Sequence, residues 1–291
     1  MPFSIDFNTG IVSLGSCFSD EIGLRLQEGG FLIEQNPFGT LYNPASIASA
    51  LHRIIDDREI GEKDLVEHEG VWHSWRHHGS FSRPTKEECM EACNSRLHQA
   101  HQALKDASLL MVTFGSAWVY ELSSPLVEGG GWGAAVVANC HKLPPQNFVR
   151  RCLSIDEIVT LWQSLLQELS TFNSQLSTIF TVSPIRHMAD GAHGNQLSKS
   201  TLLLAIDELV HFHINTLEHS HIYYFPAYEI VLDELRDYRF YGPDMVHPSS
   251  LAVDVVWDRF QSASMTPSVR EQAHCNRKQM KRQQHIPLYK V

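Results

Sequence analysis

The run Leu109-Leu110-Met111-Val112-Thr113-Phe114 limits the fold more than any other stretch of the chain. It does not alternate between apolar and polar positions, and a glycine follows at once. Such a run suits a strand buried on both faces, as in a parallel sheet covered by helices on either side. Thr178-Ile179-Phe180-Thr181-Val182 has the same character, and Ile11-Val12-Ser13-Leu14, Phe31-Leu32-Ile33 and His221-Ile222-Tyr223-Tyr224-Phe225 read as shorter strands. Between them lie helical apolar patterns with recognisable starts. Asn43-Pro44 is an N-cap followed by proline at the first helical position, with Ile47, Ala50, Leu51, Ile54 and Ile55 on one face. Thr85-Lys86-Glu87-Glu88 and Ser154-Ile155-Asp156-Glu157 match the capping box. They open helices that bury Cys89, Cys93, Leu97, Ala100 and Leu104 in one case, and Ile158, Leu161, Leu165 and Leu169 in the other. A further helix is expected from Ser198 to about Leu217, after a polar loop from Asp190 to Gln196. Strand and helix therefore alternate, which predicts a three-layer α/β/α sandwich with a mainly parallel sheet.

The 291 residues, 43% of them hydrophobic, suffice for one large domain with an insertion, which we place at 1–265. The insertion is read from Gly129-Gly130-Gly131-Trp132-Gly133 and the strand-like Ala134-Ala135-Val136-Val137, together a β-hairpin region. No Lys-Ser or Lys-Thr pair follows the glycines, so this is not a phosphate loop. Residues 266–291 form a basic tail, expected to be flexible, with six basic residues against one acidic on a body of net charge −15. The overall net charge of −10 argues against a nucleic-acid partner. The first residues lack a secretion signal's basic start and apolar core, and no run approaches the roughly 20 apolar residues of a membrane span. A soluble cytoplasmic protein is the expectation.

Six cysteines with no Cys-x-x-Cys pair indicate reduced thiols, neither a disulfide framework nor a zinc site. Of the seventeen histidines, His73 and His77 are four apart but lack the intervening Glu of a zinc helix. His98 with His101, and His211 with His213, fall on wet helix faces. No metal and no cofactor are expected.

Two distant segments carry nucleophilic chemistry. Cys17 follows the first strand across Gly15 and opens the apolar pattern Phe18, Ile22, Leu26, so it sits at a strand-to-helix turn. Free N–H groups and the helix dipole favour a thiolate there, although most free cysteines are simply small buried hydrophobes. Near the other end, Asp244-Met245-Val246-His247-Pro248 presents an acid three residues before a histidine in a Gly/Pro-rich turn, as a base and its orienting carboxylate require. Ligands of open α/β sheets bind beyond the carboxyl ends of the strands. That rule brings Gly115, Ser116 and Trp118, after one central strand, and Arg186 and His187, after the other, towards Cys17. Arg186 suits a substrate carboxylate or phosphate, or equally an acidic residue of a loop. The cluster Trp72-His73-Ser74-Trp75-Arg76-His77 suits a pocket wall or a partly exposed hairpin.

Taken together, Gly15-Ser16-Cys17-Phe18 and Asp244-x-x-His247 resemble the first and last blocks of the SGNH/GDSL hydrolases, with Cys in the position of the nucleophilic serine. More closely, the chain resembles the GSCFA-domain family of bacterial proteins, through these blocks and through Asn36-Pro37-Phe38-Gly39, Trp72-His73-Ser74, Phe114-Gly115-Ser116-Ala117-Trp118-Val119-Tyr120, Asn139-Cys140-His141-Lys142 and Ser183-Pro184-Ile185-Arg186-His187. The resemblance implies an SGNH-like fold and acyl transfer from small-molecule or carbohydrate O-acyl esters. Cys17 would then be the nucleophile, His247 the base and Asp244 its orienter. The oxyanion would be held by the N–H groups of Cys17 and Gly39. Asn36 and His141 join the pocket on the same grounds. Ala117 stands where the wider family has an oxyanion Asn, and Asn139 is the candidate substitute. Hydrolysis and transfer to a second alcohol or amine differ only at deacylation. Two other readings stand beside this one: a ligand-binding protein that keeps the fold without turnover, and an enzyme whose nucleophile is Ser16.

Overall fold

The computed structural model describes residues 3–123, 136–216 and 222–284. In chain order the elements are β1 (Ile11–Gly15), α1 (Cys17–Gly29), β2 (Ile33–Gln35), α2 (Pro44–Asp56), the hairpin β3 (Leu65–His68) and β4 (Val71–Ser74), and α3 (Lys86–Asp106). Then come β5 (Leu109–Phe114), β6 (Trp118–Leu122), β7 (Val136–Val137), β8 (Phe148–Cys152), α4 (Ile155–Phe172), β9 (Ser177–Val182) and α5 (Gly191–Thr216). The chain ends with β10 (Ile222–Tyr224), the short α6 (Ala227–Glu229), α7 (Ser250–Ser264) and α8 (Pro267–Gln284).

The five-stranded sheet has the order β10-β9-β5-β1-β2, and all of its pairings are parallel. Alternate strand residues serve opposite layers, because successive side chains point to opposite faces. Val12, Leu14, Leu110, Val112, Phe114, Phe180 and Val182 pack with α2, α3, α4 and α5. Ile11, Leu109 and Ile179 pack with α1, α6, α7 and the start of α8. The three-layer α/β/α sandwich expected from the runs is thus the observed architecture. Sequence order reverses between β1 and β5, which opens a crevice at their carboxyl ends.

The helix starts follow their signals. Asn43, Thr85 and Ser154 each accept a hydrogen bond from the backbone N–H three residues on, and Glu157 completes the box at Ser154. The β2 strand begins two residues later than the apolar run, because Gly30 adopts a left-handed φ of 91° and Phe31 N–H bonds Leu26 O to close the end of α1. The segment expected as a polar loop after Asp190 is instead the first turns of α5. The insertion is a three-stranded antiparallel sheet of order β7-β6-β8 rather than one hairpin, with Trp118 its first strand residue. Gly129–Gly133, His213 and His221 lie outside the residues whose side chains are described.

The basic C-terminal segment is helical through Gln284, where a flexible tail was expected. It lies along α1, with Arg277 Nε 2.7 Å from Glu28 Oε2, Asn276 Nδ2 donating to Gly29 O and Ala273 buried. All six cysteines are free. Among the described residues no helix is long and apolar enough to cross a membrane, and no group of His, Cys, Asp and Glu is arranged to hold a metal ion.

Candidate active site

The turn after β1 is held by β5 and by the segment after β2. Gly15 passes so close to β5 that a Cβ there would lie 2.5 Å from Thr113 O, so no larger residue fits. Its N–H donates to Asn36 Oδ1 at 2.8 Å, and Asn36 Nδ2 donates to Asp20 Oδ1 at 2.7 Å. Gln35 and Thr40 also donate to the Asp20 carboxylate. Asp20 in the first turn of α1 thereby gathers the segment after β2 behind the elbow that presents Cys17. Cys17 is the first residue of α1, where a backbone N–H has no acceptor within its own helix.

Cys17 and His247 line one cavity of about 430 Å³ at the carboxyl ends of β1, β5 and β9. Gly115, Ser116, Trp118, Asn139, Arg186 and His187 line it too. His247 Nδ1 lies 2.6 Å from Asp244 Oδ2, while Asp244 Oδ1 accepts from the N–H groups of Val246 and His247. These bonds, the backbone ones foremost, hold the Asp244 carboxyl down at about 2, so it is ionised and Nδ1 carries the proton. Nε2 is left with a lone pair. No hydrogen bond joins that ring to Cys17. Sγ instead lies 3.6 Å from the Tyr42 hydroxyl. Burial, reinforced by the neighbouring thiol, raises the Tyr42 phenol above its usual value, so the hydroxyl keeps its proton.

The oxyanion donors differ from those expected. Gly39 lies outside this cavity and its N–H donates to Asn36 O at 2.7 Å, so the left-handed glycine closes a local turn instead. Ala117 is buried with its N–H bonded to Ser198 Oγ, and the N–H groups of Gly115 and Ser116 both bond Tyr42 O. The oxyanion candidates around the cavity are the Cys17 N–H and the Asn139 amide nitrogen, since Asn139 Oδ1 accepts from His141 N. The Trp118 indole Nε1, buried without a hydrogen-bond partner, and the Tyr42 hydroxyl, 3.6 Å from Sγ, belong to the same lining.

Five expected pocket residues lie elsewhere: Asn36, Trp72, His73, His77 and His141 do not line the cavity. Asn36 is the strut described above. Trp72 takes the Lys86 ammonium over its ring at 5.5 Å. His77 is fully buried, stacked on Phe38 with ring centres 4.2 Å apart and bonded to Ser74 Oγ, and burial lowers it to about 3. His141 stacks on His73, donates through Nε2 to Ser74 O, and is lowered by burial to about 4. Both rings are neutral, because desolvation disfavours the cation. These imidazoles form a seam between β4 and residues 138–141, where Ala138 N–H bonds Trp75 O. The seam fixes Asn139 at the cavity without entering it.

Several cavity residues were assigned no role from the sequence. Tyr42 stands immediately before the Asn43-Pro44 helix start, and Cys140 follows Asn139; burial pushes the Cys140 thiol up to about 11. Beneath the cavity, Lys199 is fully buried and donates to Gly115 O at 2.6 Å and Ser183 O at 2.7 Å, pinning the turns after β5 and β9. Burial lowers it to about 7. Its signal was available: Lys199, Leu202, Ile206 and Leu209 share one helical stripe, and a lone lysine in such a stripe needs buried acceptors.

The GSCFA family model matches residues 10–260. The chain belongs to the GSCFA family. Solved structures with similarity to it include a carbohydrate esterase of family 3 from Talaromyces cellulolyticus, at 7% identity and TM-score 0.41 over 88% of this chain and 95% of that one. Another is a protein provisionally described as an acylhydrolase, from Bacteroides fragilis, at 10% identity and TM-score 0.44 over 94% of this GSCFA chain and 91% of that one. A search of the curated proteins gives no match.

Proposed function

We propose that this GSCFA protein is an acyl-ester hydrolase working through a Cys17 thioester, on small-molecule or carbohydrate O-acyl esters. The observation that carries the reading is one cavity lined by both Cys17 and His247, with the His247 ring oriented by Asp244 at 2.6 Å. In the first half-reaction His247 Nε2 takes the Sγ proton as the sulfur–carbon bond forms, and returns it to the alcohol oxygen as the ester bond breaks. Water then attacks the thioester, giving its proton to Nε2; the carbon–sulfur bond breaks and the thiol is restored. The Cys17 N–H, Asn139 and Tyr42 are the donors for the oxyanion. The separation of Sγ from the ring fits a site without substrate, since catalytic hydrogen bonds often tighten only on binding.

Ser16 makes a poor alternative nucleophile. It lines the same cavity, but it is only 2% exposed and its Oγ is buried, whereas Cys17 is half-buried and its thiol is the more accessible to an ester. Turnover of 4-nitrophenyl acetate by the parent, Cys17→Ala and Ser16→Ala proteins tests the assignment. Activity should vanish in the first variant and survive in the second. The reverse pattern makes Ser16 the nucleophile, and no turnover in the parent with any ester leaves a binding protein.

A further inference from the structure

Arg186 follows β9 and lines the Cys17 cavity, yet its charge is unanswered within the described protein. Its guanidinium lies over the Tyr241 ring, 3.9 Å from the centre, and makes one side-chain hydrogen bond, Nη1 to Met245 O at 3.3 Å. No carboxylate forms an ion pair with it among the described residues. The contrast with Arg150 is direct: that guanidinium also stacks on a cavity aromatic, Trp118, but Asp190 holds it with two bonds of 2.6 Å. A guanidinium has five N–H donors in a planar fork suited to carboxylate or phosphate. Among the described residues the cavity lining contains no Asp or Glu, in a protein of net charge −10. Arg186 also borders a shallower groove containing Asp237, but Asp237 is paired with Arg239 at 2.8 Å. An acid-free cavity with an unanswered arginine beside the reacting groups attracts negative charge.

We propose that Arg186 determines specificity, taking a carboxylate or phosphate group carried by the ester, so that the substrates are anionic esters. The inference rests on the hydrolase reading for its kinetics but not for its binding. The anion can belong to the acyl part or to the alcohol, and two matched pairs of probes separate these sources. Mono-4-nitrophenyl succinate against 4-nitrophenyl butyrate reports the acyl side. 4-Acetoxybenzoate against its methyl ester reports the alcohol side.

The experiment measures kcat/KM for both pairs with the full-length parent, Arg186→Gln and Arg186→Lys proteins. The parent should prefer the charged member of one pair at least tenfold, and added salt should erode that preference. The ratio should fall to near one in Arg186→Gln, chiefly through KM, and be partly kept in Arg186→Lys. Because Arg186 also bonds Met245 O and its own N–H bonds Val246 O, a purely structural role would lower both members of a pair by the same factor. An unchanged ratio therefore overturns the proposal. Calorimetry on Cys17→Ala with monomethyl succinate and 4-acetoxybenzoate gives an independent reading when no ester is turned over. Salt-sensitive binding that disappears with Arg186→Gln upholds the anion site even as the hydrolase reading fails. Absence of charge preference in both kinetics and calorimetry overturns it while leaving hydrolysis of neutral esters intact.

Discussion

Lys199 offers a measurement in which the sign and size of the effect follow from its surroundings. A lysine ordinarily titrates near 10.5, and burial lowers this one to about 7 in the folded protein. Between those values the unfolded chain holds a proton that the folded chain lacks. Stability must therefore rise with pH across this window, by at most ~1.4 kcal/mol per pH unit. The lysine's contribution is complete above pH 10.5, declines as pH falls and levels off below about 7. Lys199→Met removes the titration and also leaves the carbonyls of Gly115 and Ser183 without their donor. Each unpaired buried carbonyl costs about 1–3 kcal/mol. Near pH 10.5 and above, where the neutral amine supplies two N–H donors for two carbonyls without a deprotonation cost, the variant should be less stable by about 2–6 kcal/mol. At pH 7 the penalty of a half-protonated amine offsets part of that difference. Urea denaturation of both proteins at pH 7, 9 and 10.5 reads it directly, because the exposed lysines titrate alike in the two. A stability gap that widens with pH is the expected outcome. Parallel pH profiles would refute a depressed lysine, and equal stabilities at pH 10.5 would refute the clamp.

Three further outcomes follow from other buried or bonded groups. His77, lowered to about 3, stays neutral in the fold while an unfolded histidine protonates below its ordinary 6.5. Its contribution is present above pH 6.5 and lost on acidification, so His77→Phe should lose less stability between pH 6.5 and 4 in thermal melts than the parent. Asn36→Leu keeps the volume but strands the Gly15 N–H and removes one of the donors to the Asp20 carboxylate, and should lower stability by about 1–3 kcal/mol in denaturant titrations. Asp244→Asn should cut kcat for an ester substrate by about 10³–10⁴-fold with little change in KM, because the amide no longer enforces the Nδ1–H tautomer.

The central strands could be read from sequence because burial on both faces leaves no choice of residue type: Leu109–Phe114 has the bounds expected of it. The cavity was legible where position alone decides. Gly115, Ser116, Trp118, Arg186 and His187 all follow strand ends, and a parallel sheet brings those ends to one edge. Composition misled where the same residues serve two purposes. Trp72, His73 and His77 would suit a pocket wall as well as a buried seam, and the choice depends on a pairing between Ala138 and Trp75 that no local pattern encodes. Gly39 failed for a related reason, since its N–H is consumed three residues away by Asn36 O. The basic C-terminal helix was hidden because it docks through polar pairs. Arg277 finds Glu28 across 249 residues of sequence, and little apolar periodicity announces the contact.

The most direct test of the account is capture of the acyl-enzyme. The parent protein is mixed with excess 4-nitrophenyl acetate, quenched in acid within seconds, and examined by intact mass and peptide mapping. Cys140 shares the cavity and serves as an internal control, because its thiol is raised to about 11 and stays protonated at neutral pH. The account predicts one acetyl group, on the Cys17 peptide, labile to hydroxylamine, and in His247→Ala formed far more slowly. Acetylation of Ser16 or Cys140 instead, or labelling of Cys17 at the same rate in His247→Ala, would contradict it.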